Sequence, residues 1–150
     1  MLLTRSFRLS VGVALVVVAA GCAGGDDGEI EAIELEVGDC FNEAVEESLT
    51  VQSVMVVPCE EEHDFEVYYA FDLEDGAYPG VAGIEDLWIA GCLDRFEGFV
   101  GLPFDESVLD ISAIFPTEET WNGLDDREVV CSVTAVDRVP RTGSAAGVGV

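Results

Sequence analysis

The stretch Phe65-Glu66-Val67-Tyr68-Tyr69-Ala70-Phe71-Asp72-Leu73 decides the fold prediction. Large apolar residues occupy every second position from Phe65 to Leu73, and more polar residues stand between them. This period of two predicts a strand with one buried and one wetter face. Asp75-Gly76 and Pro79-Gly80 then break the chain. The sequence therefore predicts a strand that ends shortly before a new element begins.

That new element, residues 81–100, has a helical period. Its apolar stripe comprises Val81, Ile84, Trp88, Cys92, Phe96 and Phe99, widened by Leu87 and Leu93. Gly101 and Pro103 supply a stop signal. We expect this helix to pack its stripe, with the sulfur of Cys92, against the sheet.

Further extended pieces are expected at 35–42, 51–57, 109–115 and 128–136, and a short helical turn is expected at 116–121. In the last strand Val129, Cys131 and Val133 share a face, because side chains alternate along a strand. The predicted fold class is therefore α+β, with a small, mostly antiparallel sheet packed against one main helix and two disulfides.

The N-terminus has the layout of an export signal. Arg5 and Arg8 precede an apolar segment from Leu9 to Ala20, and small residues lead to Cys22. The apolar core is shorter than the roughly 20 residues of a membrane-spanning helix. The ending Ala19-Ala20-Gly21-Cys22 resembles the bacterial lipobox, although Ala19 stands where Leu or Val is more usual. Ordinary cleavage, or an uncleaved anchor, is the alternative to lipidation of Cys22.

These features divide the chain into four parts. We predict a lipoprotein signal peptide at 1–21, an acidic flexible tether at 22–34, a folded domain at 35–144 and a flexible tail at 145–150. The expected location is the outer face of the cytoplasmic membrane, reached by export and held by the lipid on Cys22.

The cysteine count supports this division, since five cysteines leave one unpaired. With Cys22 lipidated, the four that remain are Cys40, Cys59, Cys92 and Cys131. Outside the cytoplasm such an even set is expected to form disulfides. A sulfur on the helix and one on the inner face of a strand are well placed to pair, so Cys92–Cys131 is preferred, which leaves Cys40–Cys59. Four cysteines nevertheless allow three connectivities. The absence of C-x-x-C spacing and the single histidine argue against zinc, and no metal or cofactor is expected.

The chain is strongly acidic, with 31 Asp and Glu against 6 Lys and Arg and a formal net charge of −25. Such a surface repels nucleic acid and anionic lipid headgroups, so neither is an expected partner. The lipid anchor is therefore the expected contact with the membrane. The charge serves solubility or tolerance of salt, or else it attracts divalent cations or a basic partner; the first interpretation is favoured.

The densest cluster of reactive side chains is Cys59-Glu60-Glu61-Glu62-His63-Asp64-Phe65-Glu66. His63 beside Asp64 and Glu66 could act as a general base or a metal ligand. Successive side chains of an extended loop alternate sides, however, so these carboxylates do not all face one ion. A structural role for His63, donating a hydrogen bond at the strand entry, is favoured. The chain has no G-x-S-x-G, H-E-x-x-H or glycine-rich phosphate loop, so no catalytic residue is assigned and no enzyme is predicted.

A succession of short motifs resembles the septum formation domain family of exported and membrane proteins of actinobacteria. The matching motifs are Val37-Gly38-Asp39-Cys40-Phe41, Val57-Pro58-Cys59, His63-Asp64, Glu66-Val67-Tyr68, Tyr78-Pro79-Gly80, Gly91-Cys92, Phe115-Pro116-Thr117-Glu118-Glu119-Thr120-Trp121, Asp126-Arg127, Val130-Cys131 and Thr142-Gly143-Ser144. The likeness spans about residues 35–144. It departs around Asp126-Arg127, which follows Leu124-Asp125 and precedes Glu128, where the family more often has Gly-Asp-Arg. The resemblance implies a small extracytoplasmic domain associated with cell division, with no established reaction.

The favoured hypothesis is a non-enzymatic lipoprotein of the cell envelope, an accessory or interaction module with a protein partner, linked to septum formation. One alternative is an extracytoplasmic protein that binds a ligand or a divalent cation, with Glu60, Glu61 and Glu62 as the candidate cation ligands. The least favoured alternative is an envelope hydrolase. The sequence does not determine the oligomeric state.

Overall fold

The computed structural model describes residues 28–31, 34–43 and 53–150. Its strands are β1 (Gly28–Glu31), β2 (Cys40–Glu43), β3 (Ser53–Val57), β4 (Phe65–Asp72), β5 (Leu109–Ile114) and β6 (Glu128–Ala135). They form one six-stranded sheet in the order β1-β3-β2-β4-β6-β5, and each pair of neighbours is antiparallel. The predicted α+β class is therefore confirmed. The predicted signal peptide and Cys22 lie outside the described residues, and the predicted tether at 22–34 overlaps β1.

The main helix, α1 (Val81–Val100), has the predicted bounds. It buries Ile84, Cys92, Phe96 and Val100. It ends at Gly101, whose φ of 89° lets its N–H reach the carbonyl of Glu97. Among the described residues, no helix combines the length and the apolar content that a membrane span needs.

The predicted stripe on α1 was too wide. Val81, Leu87 and Leu93 are 73%, 45% and 36% exposed. Successive residues of an α-helix point about 100° apart, so Leu93 turns away from the buried line that runs through Cys92. Val81 lies in the first turn, before the first buried position. The stripe that faces the sheet is narrower than the sequence pattern indicates.

Apolar residues form one core on each face of the sheet, and β6 contributes to both. Val129, Cys131 and Val133 join the core under α1, with Tyr68, Ile84 and Phe96. Val130, which points the other way, joins the second core. The members of that second core are Leu35, Phe41, Val54, Phe65, Val67 and Val130.

Both preferred disulfide pairings are confirmed. Cys92 of α1 bonds to Cys131 of β6 with a Cα–Cα distance of 5.6 Å. Cys40 of β2 bonds to Cys59, two residues beyond β3, with a Cα–Cα distance of 5.2 Å. The first bridge therefore fastens the helix to the sheet, and the second closes the end of the β2–β3 hairpin.

A second helix, α2 (Glu118–Gly123), connects β5 to β6. Thr117 caps it, because its hydroxyl accepts a hydrogen bond from the N–H of Thr120 and the Thr120 hydroxyl accepts one from the N–H of Thr117. A short 3-10 turn, Phe104–Glu106, precedes β5. Residues 136–150 follow β6. Because β6 is antiparallel to β4, they run along the end of the sheet where β4 begins.

Candidate functional site

His63 lies at the entry to β4 and is 3% exposed. Its Nδ1 is 2.9 Å from the carbonyl oxygen of Glu61. A carbonyl only accepts hydrogen bonds, so Nδ1 is the protonated, donating nitrogen. The backbone of His63 also exchanges two hydrogen bonds with Arg141, at 2.9 and 2.8 Å. His63 therefore fixes a turn at the strand entry and joins it to residues near the C-terminus.

The carboxylates around His63 do not converge. Glu60, Glu61 and Glu62 are exposed, and Asp64 is half-buried. The backbone N–H of Asp64 donates to the side-chain oxygen of Asn42 at 2.8 Å, which ties the turn to β2. The carboxylates of the predicted cluster are thus spread along the surface, except for Glu66.

Glu66 is the buried acid of this region, with 4% exposure. Its Oε1 accepts a hydrogen bond from the Ser144 hydroxyl at 2.5 Å, and its Oε2 accepts one from the N–H of Ala145 at 2.6 Å. A buried carboxylate needs such partners to compensate for lost hydration. Both carboxylate oxygens are therefore engaged in holding the C-terminal part of the chain.

Glu66 also lies beside the Cys40–Cys59 disulfide. A carboxylate oxygen and the two sulfur atoms lie within 4.8 Å of one another. The sulfur species that binds metal ions is the thiolate, and here both sulfurs are joined in a disulfide. In this state the group offers a metal ion a single carboxylate, and that carboxylate already accepts two hydrogen bonds.

The segment that covers Glu66, residues 141–149, is here called the C-terminal clasp. Besides its contacts with His63 and Glu66, it donates from the N–H of Gly143 to the Cys59 carbonyl at 2.5 Å. Its far end reaches α1, where Gly147 and Gly149 donate to the carbonyls of Phe99 and Val100 at 2.7 and 2.9 Å. Ala145 is 2% exposed in the core under α1. Most of residues 145–150, predicted to be a flexible tail, thus belong to the clasp.

Ser144 and Ala145 were not among the sequence-predicted site residues. Ser144 stands in Thr142-Gly143-Ser144, one of the motifs that carry the family resemblance, and that was the one available signal. Its partner Glu66 is 78 positions away in the chain. Neither residue shows a periodic pattern that would predict this contact.

A second polar centre is Arg127, whose side chain is 13% exposed. Its guanidinium lies 3.8 Å from the centroid of the Trp121 ring. It also donates to the Trp121 carbonyl at 3.0 Å and to the Asp125 carboxylate at 3.1 Å. Arg127 therefore fixes α2 against the start of β6, which gives the motif Asp126-Arg127 a structural role that the sequence alone did not assign.

Two groups of the sheet have shifted acidities. Burial raises the pKa of the Tyr68 hydroxyl, which donates to the Cys92 carbonyl at 2.7 Å. Burial, followed by the charges of Asp72 and Asp126, raises the pKa of Glu128. Glu128 is paired with Asp72 across β4 and β6, where like charges oppose each other.

The chain matches the family model described as "Septum formation" over residues 37–149. No curated protein and no solved structure matches it. The match includes the four disulfide cysteines, His63, Glu66 and the whole clasp. The chain therefore belongs to the Septum formation family, which links it to cell division and to the cell envelope.

Proposed function

We propose that the chain is a non-enzymatic, lipid-anchored accessory protein of the cell envelope, which acts in septum formation by binding another protein. The observation that carries this proposal is that His63 and Glu66 form hydrogen bonds within the fold. The Nδ1 of His63 and both carboxylate oxygens of Glu66 are spent on internal hydrogen bonds. Hydrogen bonding at Nδ1 would by itself leave Nε2 able to act as a base, but His63 is 3% and Glu66 4% exposed, which closes both off from a substrate. Burial and internal hydrogen bonding together support a scaffold for a binding surface better than they support acid–base chemistry.

The lipid anchor is the second part of the proposal. It rests on the lipobox-like ending at Cys22 and on the charge of the chain. A net charge of −25 disfavours direct adsorption to anionic headgroups. Two acyl chains on one cysteine would hold the domain firmly at the bilayer.

A complementation experiment tests both parts. The gene is deleted in the host bacterium, and septum spacing is measured after return of the wild-type chain, a Cys22→Ala variant or a His63→Asn variant. We expect the wild type to restore septation and Cys22→Ala to be released from the membrane and to fail. His63→Asn should restore septation, because the asparagine amide nitrogen stands where Nδ1 stood and can still donate to the Glu61 carbonyl.

Circular dichroism of the purified His63→Asn variant serves as the control for folding. A folded His63→Asn variant that fails to restore septation would point to imidazole chemistry and contradict the non-enzymatic role. Normal septation in the deletion strain would contradict the link between this chain and division.

A further inference from the structure

An open apolar groove of about 630 Å³ lies where β5 begins and β6 ends. Its walls are Ser107, Val108, Leu109, the chain after β6 and Val150. Val108, Val136 and Val139 are 62%, 62% and 60% exposed. The N–H of Val136 donates to the Val108 carbonyl at 3.0 Å, so two walls are held together before anything binds. The three valines thus offer exposed apolar surface that a bound segment would cover.

Two arginines flank the groove. Arg141 lines it directly, and Arg138 lines an adjoining recess together with Val139. Arg138 has a left-handed backbone, with a φ of 56°. Residues other than glycine, asparagine and aspartate rarely adopt this backbone conformation, because the β-carbon then crowds the next carbonyl oxygen. The fold therefore accepts a costly turn at the residue that carries one of the two positive charges.

These arginines differ from the other two in the described part of the chain. Arg95 and Arg127 each lie within 3.4 Å of a carboxylate oxygen. Arg138 and Arg141 form no ion pair with any carboxylate whose side chain the structure describes. The nearby Asp137 uses its carboxylate to accept the N–H of Val139 at 3.2 Å. Asp137 also lines the groove and Asp64 lines the adjoining recess, so both signs of charge are present there. In a chain with 31 acidic residues, the two guanidinium groups beside this apolar surface nevertheless remain available to the carboxylates of a bound segment.

We infer that this groove binds an extended segment of a partner protein in which apolar and acidic side chains alternate. The inference rests on the proposed protein-binding function and specifies the chemistry of the partner. Apolar side chains of the segment cover the valines, and its carboxylates pair with the guanidinium groups, whose planar donors match carboxylate geometry. The net charge of −25 opposes the approach of an acidic segment, so these two guanidinium groups are what would allow the groove to bind one.

The direct test uses the full chain in lipid nanodiscs and a fluorescent hexapeptide of alternating leucine and glutamate, read by fluorescence polarisation. We expect the Arg138→Gln/Arg141→Gln variant to bind about tenfold more weakly. Val139→Ser should also weaken binding. Arg95→Gln and Leu124→Ser are the matched controls, because both change exposed side chains outside the groove, and they should bind like the wild type.

Two further peptides test which side chains of the bound segment the groove requires. Replacing glutamate by lysine in the peptide should abolish binding, and so should replacing leucine by serine. The inference is overturned if the wild-type chain does not bind the leucine–glutamate peptide, if the double arginine variant binds it equally well, or if the lysine peptide binds as tightly. It is also overturned if sedimentation shows a dimer that the double variant dissociates, because the occupant would then be a second copy of the chain.

The complementation strain separates this inference from the proposed function. We expect the wild type to restore septation and the double arginine variant to fail while remaining folded and membrane-bound. If both restore septation, the groove inference falls and the proposed function stands. If the wild type has no effect on septation, the proposed function falls whatever the peptide does.

Discussion

The two disulfides lie in regions that are held together by different forces. Cys92–Cys131 crosses an apolar interface, where Phe96, Ile84 and Val129 pack between α1 and the sheet. Cys40–Cys59 lies in a polar region, beside the buried Glu66 and under the C-terminal clasp. The comparison shows that hydrophobic burial, which is non-directional, fixes the first region. Directed hydrogen bonds between distant parts of the chain fix the second.

Removal of each disulfide gives the largest expected effects. The separations of 39 and 19 residues predict losses of about 4 kcal/mol for Cys92→Ala/Cys131→Ala and about 3 kcal/mol for Cys40→Ala/Cys59→Ala in the chain-entropy model. Denaturant unfolding measures both. An equal or reversed order would indicate that native-state packing, rather than loop length, sets the contribution of each bridge.

The apolar interface can be tested at Gly91. A β-carbon there would lie 2.3 Å from the ring of Phe71, so the helix and the sheet could not keep their present spacing. We expect Gly91→Ala to cost about 2 kcal/mol through overpacking. Gly98 of the same helix has no atom within 4 Å of such a β-carbon, and Gly98→Ala should stabilise by about 0.5–1 kcal/mol. Thermal unfolding of the Gly91→Ala and Gly98→Ala variants measures this difference in stability. The difference would disappear if α1 could shift freely on the sheet.

The polar region can be tested at Glu66. In Glu66→Gln an NH2 group, which only donates, replaces one of the two accepting oxygens. The Ser144 hydroxyl then has to reverse its hydrogen bond, and both charge-assisted hydrogen bonds become neutral ones. We expect a loss of about 1–3 kcal/mol in the free energy of unfolding. Glu97→Gln, on an exposed position of α1, should stay within about 0.5 kcal/mol of the wild type. Equal losses of stability in Glu66→Gln and Glu97→Gln would contradict the claim that the hydrogen bonds of the buried glutamate stabilise the polar region.

The apolar region could be predicted from the sequence, and the polar region largely could not. The period of two in β4 predicted the strand, but its one wetter face was wrong. Phe65 and Val67 join the second core, Tyr68 joins the core under α1, and after the register shift between Val67 and Tyr69 the latter packs there as well. The period of two in β6 and the helical period in α1 predicted these elements and the facing of Cys92 and Cys131. That placement led to both disulfide pairings. The clasp could not be predicted, because its contacts join residues roughly 50 to 85 positions apart through backbone groups and small side chains. β1 was missed as well, since Gly28–Glu31 lies in an acidic stretch that reads as a tether.

The smallest predicted effect concerns Glu128. Its pKa is raised in the folded state by burial and by Asp72 and Asp126, so the folded protein binds this proton more tightly than the unfolded chain. Stability therefore falls as pH rises from the ordinary glutamate pKa through the raised one. Glu128→Gln should stabilise the protein at neutral pH by about 0.5 kcal/mol or less, because the group is partly exposed. Thermal unfolding measured from pH 3 to 7 should show the gain vanish at the acidic end; a gain that persists there would contradict this cause.

The central claim is that Glu66 and Ser144 serve to hold the clasp in place. Native-state hydrogen exchange of the Gly147 and Gly149 amides, which donate to the end of α1, tests it directly in Glu66→Gln and Ser144→Ala. We predict exchange at these two amides about tenfold or more faster than in the wild type, with little change at the amides of β6. Unchanged exchange at Gly147 and Gly149 in both variants would contradict the claim.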